Sequence, residues 1–249
     1  PAMCPDSHFD TAAPLTRRNF LGRSSATLVG AAAMAGVPGV VHAASLSADE
    51  RTAVYAPAPE TPAEALAALQ DGNRRFAAGR SIAPHRDMAR LREIAPKQAP
   101  FAAFLGCADS RVPVEIVFDQ GFGDLFVSRI AGNIAVAEQI ASLEFGTAVL
   151  GAKVLYVLGH TSCGAVAATM AGTDVPGQIS ALYFHIRPAT RAAGGNLDKA
   201  VIENVRNQAM ALRDGSTVIN KLVREQKLLV VGGVYDLATG NVTPVELGA

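Results

Sequence analysis

Runs of apolar residues alternate with stretches of helical periodicity over most of the chain. Four apolar runs predict buried β-strands, and a fifth segment after the turn at Gly240 predicts an edge strand. These strands are expected at residues 101–106, 125–130, 153–159 and 228–234, with the edge strand at 241–247. Continuous apolar strands joined by helices are typical of a mostly parallel sheet covered on both faces. The pattern predicts an α/β fold, with about four parallel strands and an antiparallel edge strand flanked by helices.

Helical patterns fill the segments around these strands. The clearest start is at Thr61, which suits an N-cap, followed by Pro62 at the first helical position and by Glu64, which completes a capping box. Further helices are expected at residues 87–95, 136–150, 164–171, 178–192, 197–213 and 216–225. Ser162 is expected to cap the helix that begins beside it. Together, these elements predict a single domain over residues 61–249.

The first 43 residues have the pattern of an export signal. Arg17 and Arg18 precede an apolar pair, as in twin-arginine signals, a weakly apolar run covers residues 25–41, and a small-residue cleavage pattern ends at Ala43. The alternatives are an amphipathic helix or a retained membrane anchor, but a run of about 17 residues is short for a span. We therefore expect residues 1–43 to direct export through the twin-arginine route to the periplasm, without stable membrane insertion after signal removal.

The composition permits a large hydrophobic core and argues against a nucleic-acid partner. Hydrophobic residues make up 49% of the chain and charged residues 18%, which favours a folded domain outside the ends. Residues 44–60, rich in alanine and proline, predict a linker. The formal net charge is zero and no basic run is present, whereas nucleic-acid binding needs clustered lysine and arginine. We expect no nucleic-acid partner.

Two short motifs, each directly after a predicted strand, carry the candidate chemistry. The first contains Cys107, Asp109 and Arg111, and the second contains His160 and Cys163. In open α/β sheets the ligand crevice forms beyond the carboxyl ends of the strands, where both motifs lie. Cys163 is expected in the first turn of the next helix, where the helix dipole lowers the pKa of a thiol. Two thiolates, an imidazole and a carboxylate are a full set of tetrahedral ligands, so the sequence predicts a zinc site.

The residues alone leave alternatives open. Asp109 is either the fourth ligand of a closed, structural site or a carboxylate that Arg111 holds off the metal in an open site. In an oxidising compartment, Cys107 and Cys163 are also able to pair as a disulfide, unless zinc loaded before export protects them. A zinc-holding or redox-sensing module is therefore the alternative to an enzyme.

The two motifs resemble those of the β-class carbonic anhydrases. The resemblance extends from the first helix to the C-terminus and includes matches at residues 123–127, 129–133 and 232–240. It implies that Cys107, His160 and Cys163 bind zinc, one ion per chain. It also implies that Asp109 and Arg111 form a catalytic dyad, with Asp109 as the alternative fourth ligand.

The same resemblance implies a reaction. The family hydrates carbon dioxide reversibly to bicarbonate and a proton, by a zinc-bound hydroxide that the Asp-Arg dyad orients. Relatives with the same zinc motif hydrolyse carbonyl sulfide or carbon disulfide, which stay alternative substrates. Members assemble as dimers or larger even-numbered oligomers, so a homodimer or homotetramer is expected.

The resemblance also assigns a substrate pocket. Gln98 lies nine residues before the first motif cysteine, at a position where one group of the family binds bicarbonate. Phe126 and Phe145 are expected to form apolar walls, and Gly164 belongs to the pocket as well. A second group has an allosteric bicarbonate site built from Trp, Arg and Tyr. Only its arginine, Arg129, is kept here, so we expect the unregulated form.

Overall fold

Five strands form a single sheet within residues 58–248, the part of the chain that the computed structural model describes. The predicted signal at 1–43 and residues 44–57 of the predicted linker lie outside this part. The strands are β1 (Ala102–Gly106), β2 (Leu125–Arg129), β3 (Val154–His160), β4 (Leu229–Tyr235) and β5 (Val242–Val245). In the order β2-β1-β3-β4-β5, the first four are parallel and β5 is antiparallel to β4. The predicted fold class is confirmed.

Helices pack on both faces of this sheet. They are α1 (Pro62–Ala77), α2 (Met88–Ile94), α3 (Val114–Val117), α4 (Ala137–Glu144), α5 (Gly164–Ala171), α6 (Ala181–Ala192), α7 (Leu197–Gly215) and α8 (Thr217–Arg224). The predicted capping box is present, because the Glu64 amide donates to Thr61 Oγ1 at 3.2 Å and the Thr61 amide donates to Glu64 Oε2 at 3.1 Å. Within residues 58–248, every helix is too short or too polar to form a membrane span.

The two faces of the sheet bury separate hydrophobic clusters. On one face, Phe104 stacks on Tyr156 with ring centroids 5.2 Å apart, and α1 and α3 cover them. On the other face, Leu105 and Leu155 pack under α4, α7 and α8. Successive side chains of a strand point to opposite faces, so β1 and β3 are buried along their whole length. The two strands that precede the candidate motifs are thus held firmly on both sides.

The helix predicted at 136–150 differs from the observed structure. The α-helix α4 ends at Glu144, and a π-helical turn follows at Phe145–Val149. Gly146 lies in this turn, and a Cβ atom added there would be only 2.7 Å from the Phe126 ring of β2. The change in helix type therefore coincides with a close approach between two elements, which a local sequence pattern does not reveal.

Candidate metal centre

The strand register brings the two motifs together. Gly106, the last residue of β1, pairs with Leu158 of β3, so Cys107 and His160 emerge side by side at the carboxyl edge of the sheet. The ligand atoms of Cys107, His160 and Cys163 all lie within 4.8 Å of one another. These three residues are 3%, 0% and 2% exposed, respectively. The sequence spacing therefore assembles a buried S, N, S donor set.

The orientation of the His160 ring suits a metal ligand. Its Nδ1 atom lies 3.0 Å from the backbone carbonyl of Thr161, which fixes the proton on Nδ1 and leaves the lone pair on Nε2. The Nε2 atom is buried and has no hydrogen-bond partner among residues 58–248. A buried polar atom without a partner costs about 1–3 kcal/mol. A zinc ion held between this nitrogen and the two thiolates would satisfy it, so the residues present fit the metal.

The two thiols are free rather than joined in a disulfide. A hydrogen bond from the Cys163 thiol lowers the pKa of Cys107 to about 4, and the same bond raises the pKa of Cys163. Cys107 Sγ also accepts a hydrogen bond from the backbone N–H of Gly132 at 3.3 Å. The pair thus shares a proton that zinc would displace.

The start of α5 corrects two expectations. Cys163 is the N-cap residue rather than part of the first turn, and Ser162 does not cap the helix. Ser162 has φ +56°, a left-handed backbone that turns the chain before the helix. Backbone amides of the first turn lower the pKa of Cys163 as expected, but the hydrogen bond with Cys107 and burial outweigh them.

Asp109 and Arg111 form a forked ion pair beside the three ligands. Arg111 Nε donates to Asp109 Oδ1 at 2.9 Å, Nη2 donates to Oδ2 at 2.8 Å, and the backbone N–H of Arg111 also donates to Oδ1. These bonds hold the pKa of the Asp109 carboxyl well below its usual range. Among the described residues, the group of mutually close ligand atoms contains Cys107, His160 and Cys163 but not Asp109.

Arg129 is a residue whose place in the site the sequence interpretation missed. Its Nε donates to the Cys107 carbonyl at 2.8 Å, and its Nη2 donates to the Asp109 carbonyl at 2.6 Å. The guanidinium therefore braces the backbone on which both a zinc ligand and the dyad carboxylate are carried. No local sequence signal places it there, because the contacts depend on the strand register, in which Arg129 at the end of β2 pairs with Gly106 of β1.

The four predicted pocket residues occupy different places. Gln98 is exposed between α2 and β1, and its side chain makes no hydrogen bond with another described residue. The Phe126 and Phe145 rings contact each other with centroids 6.3 Å apart, and Phe126 packs on a different cluster from the one that contains the cysteines. Gly164 begins α5 directly after Cys163, with open space beside its Cα. Their common role as a substrate pocket stays a prediction.

Curated relatives match this chain over most of their length. The carbonic anhydrase of Mycolicibacterium smegmatis is 38% identical over 189 residues, which cover 73% of this chain and 92% of that protein. Carbonic anhydrase 2 of Mycobacterium tuberculosis is 36% identical over 188 residues, covering 72% of this chain and 91% of the relative.

Solved structures and a family model agree with these relatives. The β-carbonic anhydrase CafA of Aspergillus fumigatus is 26% identical, with a TM-score of 0.60 over 74% of this chain and 92% of that one. The Coccomyxa β-carbonic anhydrase, solved with acetazolamide, is 28% identical, with a TM-score of 0.58 over 72% of this chain and 86% of its own. The family model described as carbonic anhydrase matches residues 102–242, a segment that contains all five motif residues. The buried Cys107, His160 and Cys163 group could hold the zinc ion that this family uses, and the chain therefore belongs to the β class of the carbonic anhydrase family.

Proposed function

We propose that this chain catalyses the reversible hydration of carbon dioxide to bicarbonate and a proton, with one zinc ion per chain. The observation that carries the proposal is the buried donor set of Cys107, His160 and Cys163 within 4.8 Å, with His160 Nε2 unpartnered among the described residues. Three protein ligands are typical of a catalytic zinc site, which keeps one position for water or substrate. When bound there, zinc acts as a Lewis acid that lowers the pKa of water and so supplies a nucleophile near neutral pH.

Asp109 is the residue that orients the attacking water. Its carboxylate remains ionised because Arg111 occupies both of its oxygens and lowers its pKa. An ionised carboxylate accepts a hydrogen bond from the water and directs the oxygen lone pair toward the carbon of carbon dioxide. Arg111 also keeps the carboxylate turned away from the thiolate ligands. This role of the dyad corresponds to the open form of the site.

The remaining pocket residues handle the substrate. The family resemblance supports these roles: Gln98 and the backbone amide of Gly164 would position the developing bicarbonate, and Phe126 with Phe145 would provide an apolar wall for carbon dioxide. Bicarbonate then leaves and water replaces it. Carbon dioxide is small and apolar, so the pocket needs few polar groups beyond those that bind the product.

A combined metal and rate measurement tests this function. The purified chain is analysed for zinc and then mixed with carbon dioxide in a stopped-flow assay that follows proton release. We expect one zinc per chain and rapid hydration that a chelator abolishes. Stoichiometric zinc without hydration would contradict the proposal and favour carbonyl sulfide or carbon disulfide, which are assayed next. A Cys107–Cys163 disulfide without zinc would favour a redox module.

We propose further that the protein is exported and oligomeric. The twin-arginine pattern at Arg17 and Arg18 supports export to the periplasm. Large apolar side chains at the surface, such as Phe184 at 78% and Val149 at 67% exposure, support assembly as a homodimer or homotetramer. Replacing both arginines by lysine should keep the protein in the cytoplasm, and light scattering on the purified protein should give an even subunit number. Unchanged fractionation of the lysine variant, or a monomer, would contradict these two proposals.

A further inference from the structure

The Cys107 ligand receives its backbone hydrogen bond from an unusual turn. Gly132, whose N–H lies 3.3 Å from Cys107 Sγ, has φ +74°, and the next residue, Asn133, has φ +43°. Two consecutive left-handed residues are uncommon, and they persist only where the surroundings hold them. Ile186 of α6 packs closely against this turn, since a Cβ atom added to Gly132 would be 2.6 Å from Ile186 Cδ1.

Two buried side-chain amides on α7 hold the backbone of this turn by hydrogen bonds. Asn204 Nδ2 donates to the Gly132 carbonyl at 2.8 Å, while Gln208 Oε1 accepts from the Ala135 N–H at 2.9 Å. Gln208 Nε2 donates to Asn204 Oδ1 at 3.1 Å and to the His185 carbonyl at 3.2 Å. Both side chains are nearly inaccessible to solvent. The 132–135 segment is therefore fixed at both ends from one turn of α7.

Within residues 58–248, the side-chain amides of Asn204 and Gln208 donate to and accept from neither the three candidate ligands nor the Asp-Arg dyad. We propose that Asn204 and Gln208 are positioning residues of the metal site, which aim the Gly132 N–H at Cys107 Sγ and so control how firmly this thiolate holds zinc. The inference rests on the proposed zinc site. It adds two residues of α7, a helix that carries none of the candidate ligands and neither residue of the dyad.

The physical effect follows from the charge on sulfur. An N–H that donates to a thiolate draws negative charge away from it, keeps it from taking up a proton, and fixes its direction. If the turn relaxes, the N–H moves off the sulfur and the ligand becomes freer to dissociate. Loss of such outer partners typically weakens metal binding by about 10- to 100-fold.

Two variants remove the amides without changing volume greatly. Asn204→Leu deletes the donor to Gly132, and Gln208→Met frees Ala135 while leaving the Asn204 bond to Gly132 in place. Zinc release is followed with an excess of a chromophoric chelator. The cobalt-substituted protein is examined by absorption spectroscopy, because the thiolate-to-cobalt charge-transfer band reports the charge on the ligand sulfurs. Neither readout depends on turnover.

A matched control is available in α1. Asn73 is buried like Asn204, donates through Nδ2 to the carbonyls of Val117 and Gly240 at 3.1 and 2.9 Å, and accepts from the Val242 N–H at 2.9 Å. Asn73→Leu therefore removes a comparable buried network that holds no part of the metal site. We expect it to lower thermal stability but to leave the cobalt band and zinc release unchanged.

The expected result is zinc release faster by about 10- to 100-fold in Asn204→Leu, with a shifted cobalt band, and a smaller change of the same kind in Gln208→Met. Release rates and bands that match those of Asn73→Leu would overturn the inference. So would failure of both α7 variants to fold where Asn73→Leu folds, since the amides would then serve the fold. If the unaltered protein binds no zinc, the proposed function fails first. If it binds zinc and hydrates carbon dioxide while the variants behave like the control, only this inference fails.

Discussion

Oδ2 of Asp109 lies 3.8 Å from Nε2 of His160, the one polar atom of that ring without a hydrogen-bond partner in the described part of the chain. The ion-paired carboxylate and the free ligand nitrogen therefore face the same small space. A water molecule placed in this space would be within reach of both, whereas two side-chain hydrogen bonds hold the carboxylate to Arg111. This arrangement is what the proposed mechanism requires, in which His160 binds the metal and Asp109 orients the water.

Replacing Asp109 by Asn tests this separation. The amide is neutral and donates where the carboxylate accepts, so it cannot orient water in the same way. We expect zinc content to stay at one per chain while turnover falls about 100-fold or more, within the usual range for loss of a proton-handling side chain. Metal analysis and stopped-flow hydration measure the two quantities on the same sample. Loss of zinc from this variant would instead identify Asp109 as a structural ligand.

A second forked pair provides the control for this substitution. Arg213 binds Asp214 through Nε at 2.9 Å and Nη2 at 3.2 Å, in an exposed part of the chain. Asp214→Asn removes a similar ion pair that has no part in the proposed metal site. Zinc content and turnover should both equal those of the unaltered enzyme. A drop in turnover as large as that of the Asp109 variant would mean that the assay reports general damage to the protein.

The pH dependence of hydration follows from the attacking water, which must lose a proton, and from Asp109, which stays ionised. The attacking water must lose a proton, so its reactive form increases as pH rises. Asp109 has a pKa held below its ordinary value of 3.8 by Arg111, and a depressed pKa keeps the carboxylate ionised at every pH above that value. Activity should therefore rise along a single limb between about pH 6 and 9. A flat profile would contradict the mechanism, and a second limb that disappears in Asp109→Asn would show that Asp109 titrates in this range.

The fold and the grouping of the candidate ligands were predictable from the sequence because both depend on local patterns. The strands appear within a residue or two of their expected bounds, since each is a run of apolar residues between breakers. Cys107 and His160 could be placed together because both directly follow or end parallel strands that are neighbours in the sheet. The proximity of Cys107, His160 and Cys163 was thus predictable from the sequence.

The supporting contacts were not accessible, because they join distant parts of the chain. Asn204 and Gly132 are 72 residues apart, and nothing in the periodicity of α7 distinguishes a buried amide that holds a turn from one that faces solvent. The contact of Arg129 with the Cys107 carbonyl requires the register of β1 and β2. The π-helical turn at Phe145–Val149 lies against the Phe126 ring of β2, a contact between distant parts of the chain. Such features need the tertiary structure.

Removal of zinc should weaken the fold and expose the thiols to oxidation. Without the ion, His160 Nε2 stays buried and unpartnered, and Cys107 and Cys163 share a proton in a nearly inaccessible place. We expect a chelator to lower the melting temperature and to allow an oxidant to convert the two thiols to a disulfide, whereas zinc, but not magnesium, reverses the first effect and prevents the second. Thermal denaturation and thiol titration measure these changes. Equal loss of thiols in zinc-loaded and metal-free protein would show that the metal does not protect the pair.

Gly132→Ala tests whether the turn that carries the N–H to Cys107 needs glycine for space as well as for backbone freedom. Both Gly132 and Gly195 have positive φ, +74° and +87°, but a Cβ atom at Gly195 meets nothing within 4 Å, whereas at Gly132 it meets Ile186 Cδ1 at 2.6 Å. A left-handed backbone costs a residue with a Cβ about 1–2 kcal/mol, so Gly195→Ala should lower the free energy of unfolding by this amount and leave zinc content unchanged. Gly132→Ala carries the same backbone penalty and an overpacking penalty of about 1–3 kcal/mol in addition. The excess should be accompanied by loss of zinc, because relief of the clash moves the N–H away from Sγ. Chemical denaturation and metal analysis of the two variants measure these effects. If both variants lose the same stability and keep full zinc, the turn tolerates the extra carbon without moving the Gly132 N–H away from Cys107 Sγ.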